Sequence, residues 1–306
     1  MWRYLRRDDR GRAALAGEAS AAAAEAGRGD DRARGAYVRP LTADVAAAAA
    51  RTGAPMAFFD VDNTLMRGAS IYHFARGLAA RDLFTTRDLL RFAWGQLLFR
   101  ASGTEHPQQI DAARDAALAF VAGHDVNDLV NLCEEIYDDT MADRIWDGTR
   151  NLVRRHLMAG ERVWLVTATP VELADIIRRR LGLDGALGTV AETVDGVYTG
   201  RLVGDLLHGP AKAAAVESLA RHEGVDLDSC TAYSDSSNDL PLLCAVGRPN
   251  VVNPDDALLD HAHARGWPVH EFRTHRTALR VGVPAALAGA VAGGVTMSVL
   301  RRRARR

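Results

Sequence analysis

Met56-Ala57-Phe58-Phe59-Asp60-Val61-Asp62-Asn63-Thr64-Leu65 is an apolar, strand-like run that ends in two carboxylates spaced i, i+2, with a hydroxyl at i+4. Open α/β sheets bind ligands beyond the C-terminal ends of parallel strands, so Asp60 and Asp62 would share one small crevice there. Carboxylates that close repel each other and resist desolvation unless a cation neutralises them or one keeps its proton. The spacing therefore suits a Mg²⁺ site or a nucleophile beside an acid/base group. The plainer alternative is a solvated strand-to-helix turn in which Asp62 or Thr64 merely caps.

Downstream of this stretch the pattern turns helical to about residue 147. Ser70–Arg81 carries Ile71, Phe74, Ala75 and Leu78 at i, i+3, i+4, i+7, the spacing of one helix face. Asp82–Arg100, Asp111–Ala122 and Val126–Met141 continue the series, broken at Gly103–Pro107. A helix from Asp147 then leads into Arg162-Val163-Trp164-Leu165-Val166-Thr167, a second strand that ends in a hydroxyl. Pro170 opens a helix to Leu181, and proline is favourable at a first helical position. Within Gly188–Gly204, Asp195-Gly196 between alternating β-formers predicts a hairpin. A helix from Pro210 to about Arg221 follows, and then a third strand, Cys230–Asp235, which also ends in a carboxylate. Asn238-Asp239-Leu240 begins a helix; Asn250–Val252, a helix over 255–265 and Pro268–His270 complete the alternation. Repeated β-α units with short connections predict an α/β fold with a doubly wound parallel sheet and an inserted all-helical module of about eighty residues.

Composition narrows the function classes. At 306 residues with 48% hydrophobic content the chain can build a sizeable core, and a formal net charge of −1 offers no electrostatic footing for nucleic acid. Cys133, Cys230 and Cys244 are scattered. They read as reduced thiols of a cytoplasmic protein, not as a disulfide framework or a zinc site. No apolar h-region opens the chain, so no secretory signal is expected. Residues 1–53 are rich in Ala, Gly, Arg and Asp and read as a mostly disordered extension, with weak alanine helices at 13–26 and 43–51. Met1–Leu5 stands out there as an apolar docking tip.

Collected, the polar residues at strand and helix ends are Asp60, Asp62, Thr167, Lys212, Asp235, Asn238 and Asp239. Neighbouring strand ends of an open parallel sheet converge on one crevice. Carboxylates, a hydroxyl, an amide and a lysine there suit Mg²⁺ and a phosphate group, with hard oxygens for the metal and Thr and Lys for phosphate oxygens.

In that order the set resembles the haloacid dehalogenase-like phosphohydrolases, whose motifs are D-x-D-x-T, a strand ending in Ser or Thr, a Lys, and D-x-x-x-D. This chain supplies Asp60-Val61-Asp62-Asn63-Thr64, Thr167, Lys212 and Asp235-Ser236-Ser237-Asn238-Asp239. The helical insert resembles the family's small cap. The hairpin and the Ser234–Leu243 stretch resemble the subgroup that contains phosphoserine phosphatases. The resemblance implies a core of 54–69 plus 148–275, a cap of 70–147 and a Mg²⁺-dependent phosphomonoester hydrolase. It implies Asp60 as the nucleophile that becomes an aspartyl-phosphate and Asp62 as the acid/base. The metal would take the Asp60 carboxylate, the Asp62 carbonyl and Asp235, with Asn238 and Asp239 orienting that shell. Thr167 and Lys212 would hold the transferring oxygens.

One departure bears on substrate. Phosphoserine phosphatases of this subgroup carry a glutamate nine residues after the nucleophile, for the substrate amine; here that position is Ala69. The expected substrate is therefore a small phosphorylated compound other than phosphoserine. Arg67, Tyr72, His73 and Arg76 lie where the cap begins, as substrate contacts or as ordinary helix surface. A lipid-phosphate phosphatase, a phosphomutase and a catalytically silent membrane-bound scaffold are the alternatives.

The tail, 276–306, contains twenty uncharged residues, Val281–Leu300, followed by five arginines. The run meets the length of a span, and Gly289-x-x-x-Gly293 suits close helix packing. Its Ala/Gly content and the arginines on its far side argue against crossing and for contact with the inner membrane face through 281–306. A buried or disordered Ala-rich helix is the alternative.

Overall fold

The computed structural model describes residues 7–34, 53–81, 118 and 121–273. Readings that fall on Met1–Leu5, 43–51, 82–117 and the 276–306 tail lie outside these. Six strands form one parallel sheet: β1 (Met56–Phe59), β2 (Arg162–Pro170), β3 (Gly185–Thr189), β6 (Thr231–Ser234), β7 (Arg248–Val252) and β8 (Val269–His270). Their order is β3-β2-β1-β6-β7-β8, and every pairing is parallel. The chain runs from β1 to one side through β2 and β3, then returns to the other side through β6. β1 is therefore the switch point, and the crevice beyond its C-terminal end opens between β2 and β6.

Side chains alternate across a strand, and β1 uses this to divide the core. Ala57 and Phe59 face one apolar cluster, with Val163 and Leu165 from β2. That cluster is closed by α2 (Ser70–Ala79), α3 (Val126–Thr140), α4 (Asp147–Met158) and α5 (Val171–Leu181). Met56 and Phe58 face the opposite cluster with Trp164 and Val166. It is closed by α6 (Pro210–Glu223), α7 (Leu240–Ala245), α8 (Asp256–Arg265) and the N-terminal α1 (Arg7–Arg34). Both phenylalanines are fully buried, and each such burial contributes roughly 2–3 kcal/mol. The sheet is thus doubly wound, with helices on both faces. Among the described residues no helix is long and apolar enough to cross a membrane.

Two sequence expectations need correction. Residues 7–34 are not a mostly disordered stretch: one 28-residue helix spans them and contains the helix expected at 13–26. Ala13, Ala16, Ala21 and Ala24 are buried. A Cβ on Gly17 would stand 2.7 Å from the Ala215 backbone nitrogen. Composition suggested disorder because large apolar residues are few, but small residues let α1 approach α6 so closely that modest surfaces are buried. The second correction is β3, the outer strand beside β2, which sequence reading passed over because Gly185-Ala186-Leu187-Gly188-Thr189 lacks β-branched residues except at its end. The hairpin comes where expected, as β4 (Ala191–Val194) and β5 (Val197–Leu202) about Asp195-Gly196.

Candidate active site

Each predicted site residue sits at the end of a sheet strand or on a helix facing that end. Asp60 directly follows β1, and its backbone N–H donates to the Tyr233 carbonyl, 3.0 Å away on β6. After it the chain turns sharply. Asn63 takes a left-handed conformation at φ 57°, which asparagine tolerates better than most residues. Its N–H donates to the Gly68 carbonyl, and its Oδ1 accepts from the Gly68 N–H. The loop so closed returns Asp62 to the crevice, where its Oδ1 accepts the Ser70 N–H at 2.8 Å. Thr64, fully buried, donates to Asp235 Oδ1 at 3.3 Å, joining the first motif to the end of β6. Asn253, also buried and left-handed, donates from Nδ2 to the Asn63 carbonyl.

Lys212 enters from the first turn of α6. Its buried ammonium donates to Asp60 Oδ1 at 2.6 Å and to Asp239 Oδ2 at 2.7 Å. Ser234 donates to the same Asp239 oxygen at 2.7 Å. Asp239 therefore orients Lys212 rather than facing outward. Asn238 sits beside it in the short 3₁₀ turn Ser237–Asp239, whose cap is the Ser236 side chain and not Asn238 itself.

Thr167 lies near the C-terminal end of β2, buried. Its hydroxyl donates to Thr169 Oγ1 at 2.9 Å, and Thr169 Oγ1 lies 2.6 Å from Ser70 Oγ. The β2–β3 register breaks between Val166 and Pro170, so β2 bulges where these hydroxyls stand. Gly188 permits the bulge: a Cβ there would lie 2.7 Å from Val171 Cα and 2.9 Å from the Thr169 carbonyl.

Electrostatics mark this crevice. Burial raises the Asp60 carboxyl to about 7, with Lys212 opposing and Asp239 and Asp62 reinforcing the rise. Burial also raises Asp62, partly offset by hydrogen bonds from the Ser70 side chain and backbone. Asp235 is raised by burial and by the charges of Asp60 and Asp239. Burial disfavours a charged Lys212, but Asp239 and Asp60 more than compensate and hold its ammonium protonated. Acidic groups thus outnumber the one lysine, and the crevice has room in its charge balance for a further cation.

That donor set fits Mg²⁺. As placed, no three His, Cys, Asp or Glu groups among the described residues form a ready cage. Mg²⁺ is commonly held by one or two carboxylates with substrate phosphate oxygens and waters, and Asp60 and Asp235 are two such carboxylates.

Of the residues at the start of the cap, His73 is buried and its Nε2 donates to the Arg67 carbonyl at 3.0 Å. The Arg67 guanidinium lies over the Trp146 ring, 4.7 Å from its centre. Tyr72 and Arg76 are exposed. Sequence reading missed Ser70, Thr169, Ser234 and Asn253. A Thr-x-Thr at the end of an apolar strand was the one available signal.

The family model of the haloacid dehalogenase-like hydrolases matches residues 57–243. The chain belongs to the haloacid dehalogenase-like hydrolases. Among curated relatives, the phosphoserine phosphatase SerB1 of Mycobacterium tuberculosis is 55% identical over 268 residues, covering 86% of this chain and 87% of that protein. A probable phosphatase of the same organism is 36% identical over 275 residues, covering 86% and 94%. Among solved structures, a protein of unknown function from Bordetella pertussis matches with a TM-score of 0.64 at 32% identity, over 72% of this chain and 100% of that one. A phospho-aspartyl intermediate analogue of phosphoserine phosphatase matches with a TM-score of 0.52 at 19% identity, over 74% and 98%, which speaks for the fold alone. This haloacid dehalogenase-like hydrolase is a phosphatase, and its motifs meet at the switch point of the sheet.

Proposed function

We propose that the chain hydrolyses a small phosphomonoester through an aspartyl-phosphate on Asp60. The observation that carries this reading is Lys212 Nζ bridging Asp60 Oδ1 and Asp239 Oδ2, with Asp62 and Asp235 close by and Thr167 near the end of the neighbouring β2. Phosphoryl transfer asks little covalent work of a protein and much positioning and charge compensation, and this set is arranged for both. An Asp60 carboxylate oxygen attacks phosphorus, forming the Asp60 O–P bond as the ester P–O bond breaks. Asp62 gives its proton to the departing alcohol oxygen. It then takes a proton from water, whose oxygen attacks phosphorus and releases the Asp60 carboxylate with inorganic phosphate. Thr167 and Lys212 hold and offset charge on the transferring group. Asp239 and Asn238 orient the acidic shell. Asp60, Asp235 and the Asp62 carbonyl would hold Mg²⁺, which when bound supplies positive charge to the phosphoryl oxygens.

The Mycobacterium tuberculosis relative carries phosphoserine in its name, so that compound belongs in any panel. In this chain Ala69 offers no carboxylate to a substrate amine, which favours another small phosphomonoester. The test is phosphate release with Mg²⁺ and with EDTA, by wild type and by Asp60→Asn, across phosphoserine, sugar phosphates and lipid phosphates. Metal-dependent release that Asp60→Asn abolishes is expected; no release from any compound would overturn the reading. Ala69→Glu should raise the preference for phosphoserine over a phosphomonoester that lacks an amine by about tenfold, the worth of ~1.4 kcal/mol.

A further inference from the structure

Three buried hydroxyls connect two parts of the crevice that the sequence treats as separate motifs. Thr167 Oγ1 donates to Thr169 Oγ1 at 2.9 Å, and Thr169 Oγ1 lies 2.6 Å from Ser70 Oγ. The Ser70 N–H donates to Asp62 Oδ1 at 2.8 Å. All three hydroxyl residues are buried, so each proton must find an acceptor inside the protein. Thr169 Oγ1 already accepts from Thr167, and its own proton has Ser70 Oγ within reach. The Ser70 hydroxyl is thereby held on Thr169, while the Ser70 backbone N–H is held on Asp62. The contacts run from Thr167 through Thr169 to Ser70, and from the Ser70 N–H to Asp62.

We propose that Ser70 and Thr169 are positioning residues, a hydroxyl wire that ties the acid/base carboxylate of Asp62 to the phosphate-holding hydroxyl of Thr167. This rests on the phosphatase reading above. The Thr169 hydroxyl holds Ser70 where its backbone N–H meets Asp62, so the acid on the loop after β1 is kept in place relative to the Thr167 hydroxyl on β2. The bulge in β2, opened by Gly188, sets Thr169 at the distance the wire needs.

A wire that serves Asp62 matters most where the leaving oxygen needs a proton. An alkyl alcohol needs it; a nitrophenol hardly does. The test compares kcat and KM on glycerol 1-phosphate and p-nitrophenyl phosphate for wild type, Thr169→Val, Thr169→Ser, Ser70→Ala and Ser70→Thr, with thermal unfolding of each. Thr169→Val is expected to lower kcat on glycerol 1-phosphate by about tenfold or more. The loss on p-nitrophenyl phosphate should be clearly smaller, KM should change little, and Thr169→Ser should restore kcat. Ser70→Ala carries the same comparison if Thr169→Val fails to fold, and Ser70→Thr its rescue. Equal losses on both substrates, no rescue by the hydroxyl variants, or unchanged kcat would overturn the wire. A wild type inactive on every phosphomonoester refutes the phosphatase reading itself, a distinct result.

Discussion

Lys212 governs the charge balance of the crevice, because its ammonium is buried and shared by Asp60 and Asp239. Lys212→Met removes the cation and leaves two buried carboxylates without their partner. Breaking a buried pair from one side costs about 3–5 kcal/mol. Urea unfolding should show a loss of that size, and a loss under about 1 kcal/mol would mean that the pair is not buried as described. Glu172 makes a different residue-scale case. Its Oε1 accepts the Tyr198 hydroxyl at 2.8 Å, its Oε2 is buried without a partner, and burial raises its proton affinity. A carboxyl whose folded pKa lies above its unfolded value binds more protons in the folded state, so its contribution to stability falls as pH rises through that interval. Glu172→Gln should therefore gain stability relative to wild type as pH rises above the ordinary glutamate range; a constant difference in unfolding free energy would contradict this. The carboxylates and Lys212 were legible in the sequence because acidic residues at the ends of apolar strands have few structural reasons to be there. Ser70, Thr169 and Asn253 were not, because short polar side chains cap, turn and fill as often as they position a catalytic group.

At the scale of elements, the bulge in β2 depends on Gly188 of β3. Gly188→Ala sets a Cβ against the backbone of Val171 and Thr169, which cannot swing aside as a side chain does. Overpacking of this kind costs typically 1–3 kcal/mol, about what urea unfolding should show. Because Thr167 and Thr169 ride on the bulge, kcat should fall as well; full activity with full stability would mean that the backbone relaxes freely. The same glycines explain why β3 was invisible in the sequence: its residues are chosen for close approach to Trp164 and α5, and not for β-propensity. α1 was invisible for a related reason. Alanine and glycine bury little area each, so composition resembles a solvated segment, while only the three-dimensional fit to α6 shows what they contact. The β4–β5 hairpin was legible because Asp195 and Gly196 both take positive φ, the requirement of its tight turn.

At the scale of the whole molecule, the order of motifs along the chain is read out as proximity by strand order. The chain leaves β1 in one direction and comes back in the other, so residues as far apart as Asp60 and Asp235 end at neighbouring strand tips. That much follows from the β-α alternation, and it is why fold and crevice were legible together. What recognises the leaving group was not, because apolar helices serve packing and recognition with the same residues. The central claim is that phosphate passes through Asp60. Rapid quenching during turnover with Mg²⁺, followed by mass analysis of peptides, tests it most directly. The mass of one phosphoryl group is expected on the peptide that contains Asp60, accumulating in Asp62→Asn, where the second step lacks its base, and absent from Asp60→Asn. Phosphate release that continues in Asp60→Asn, with no label on that peptide in wild type or Asp62→Asn, would contradict it.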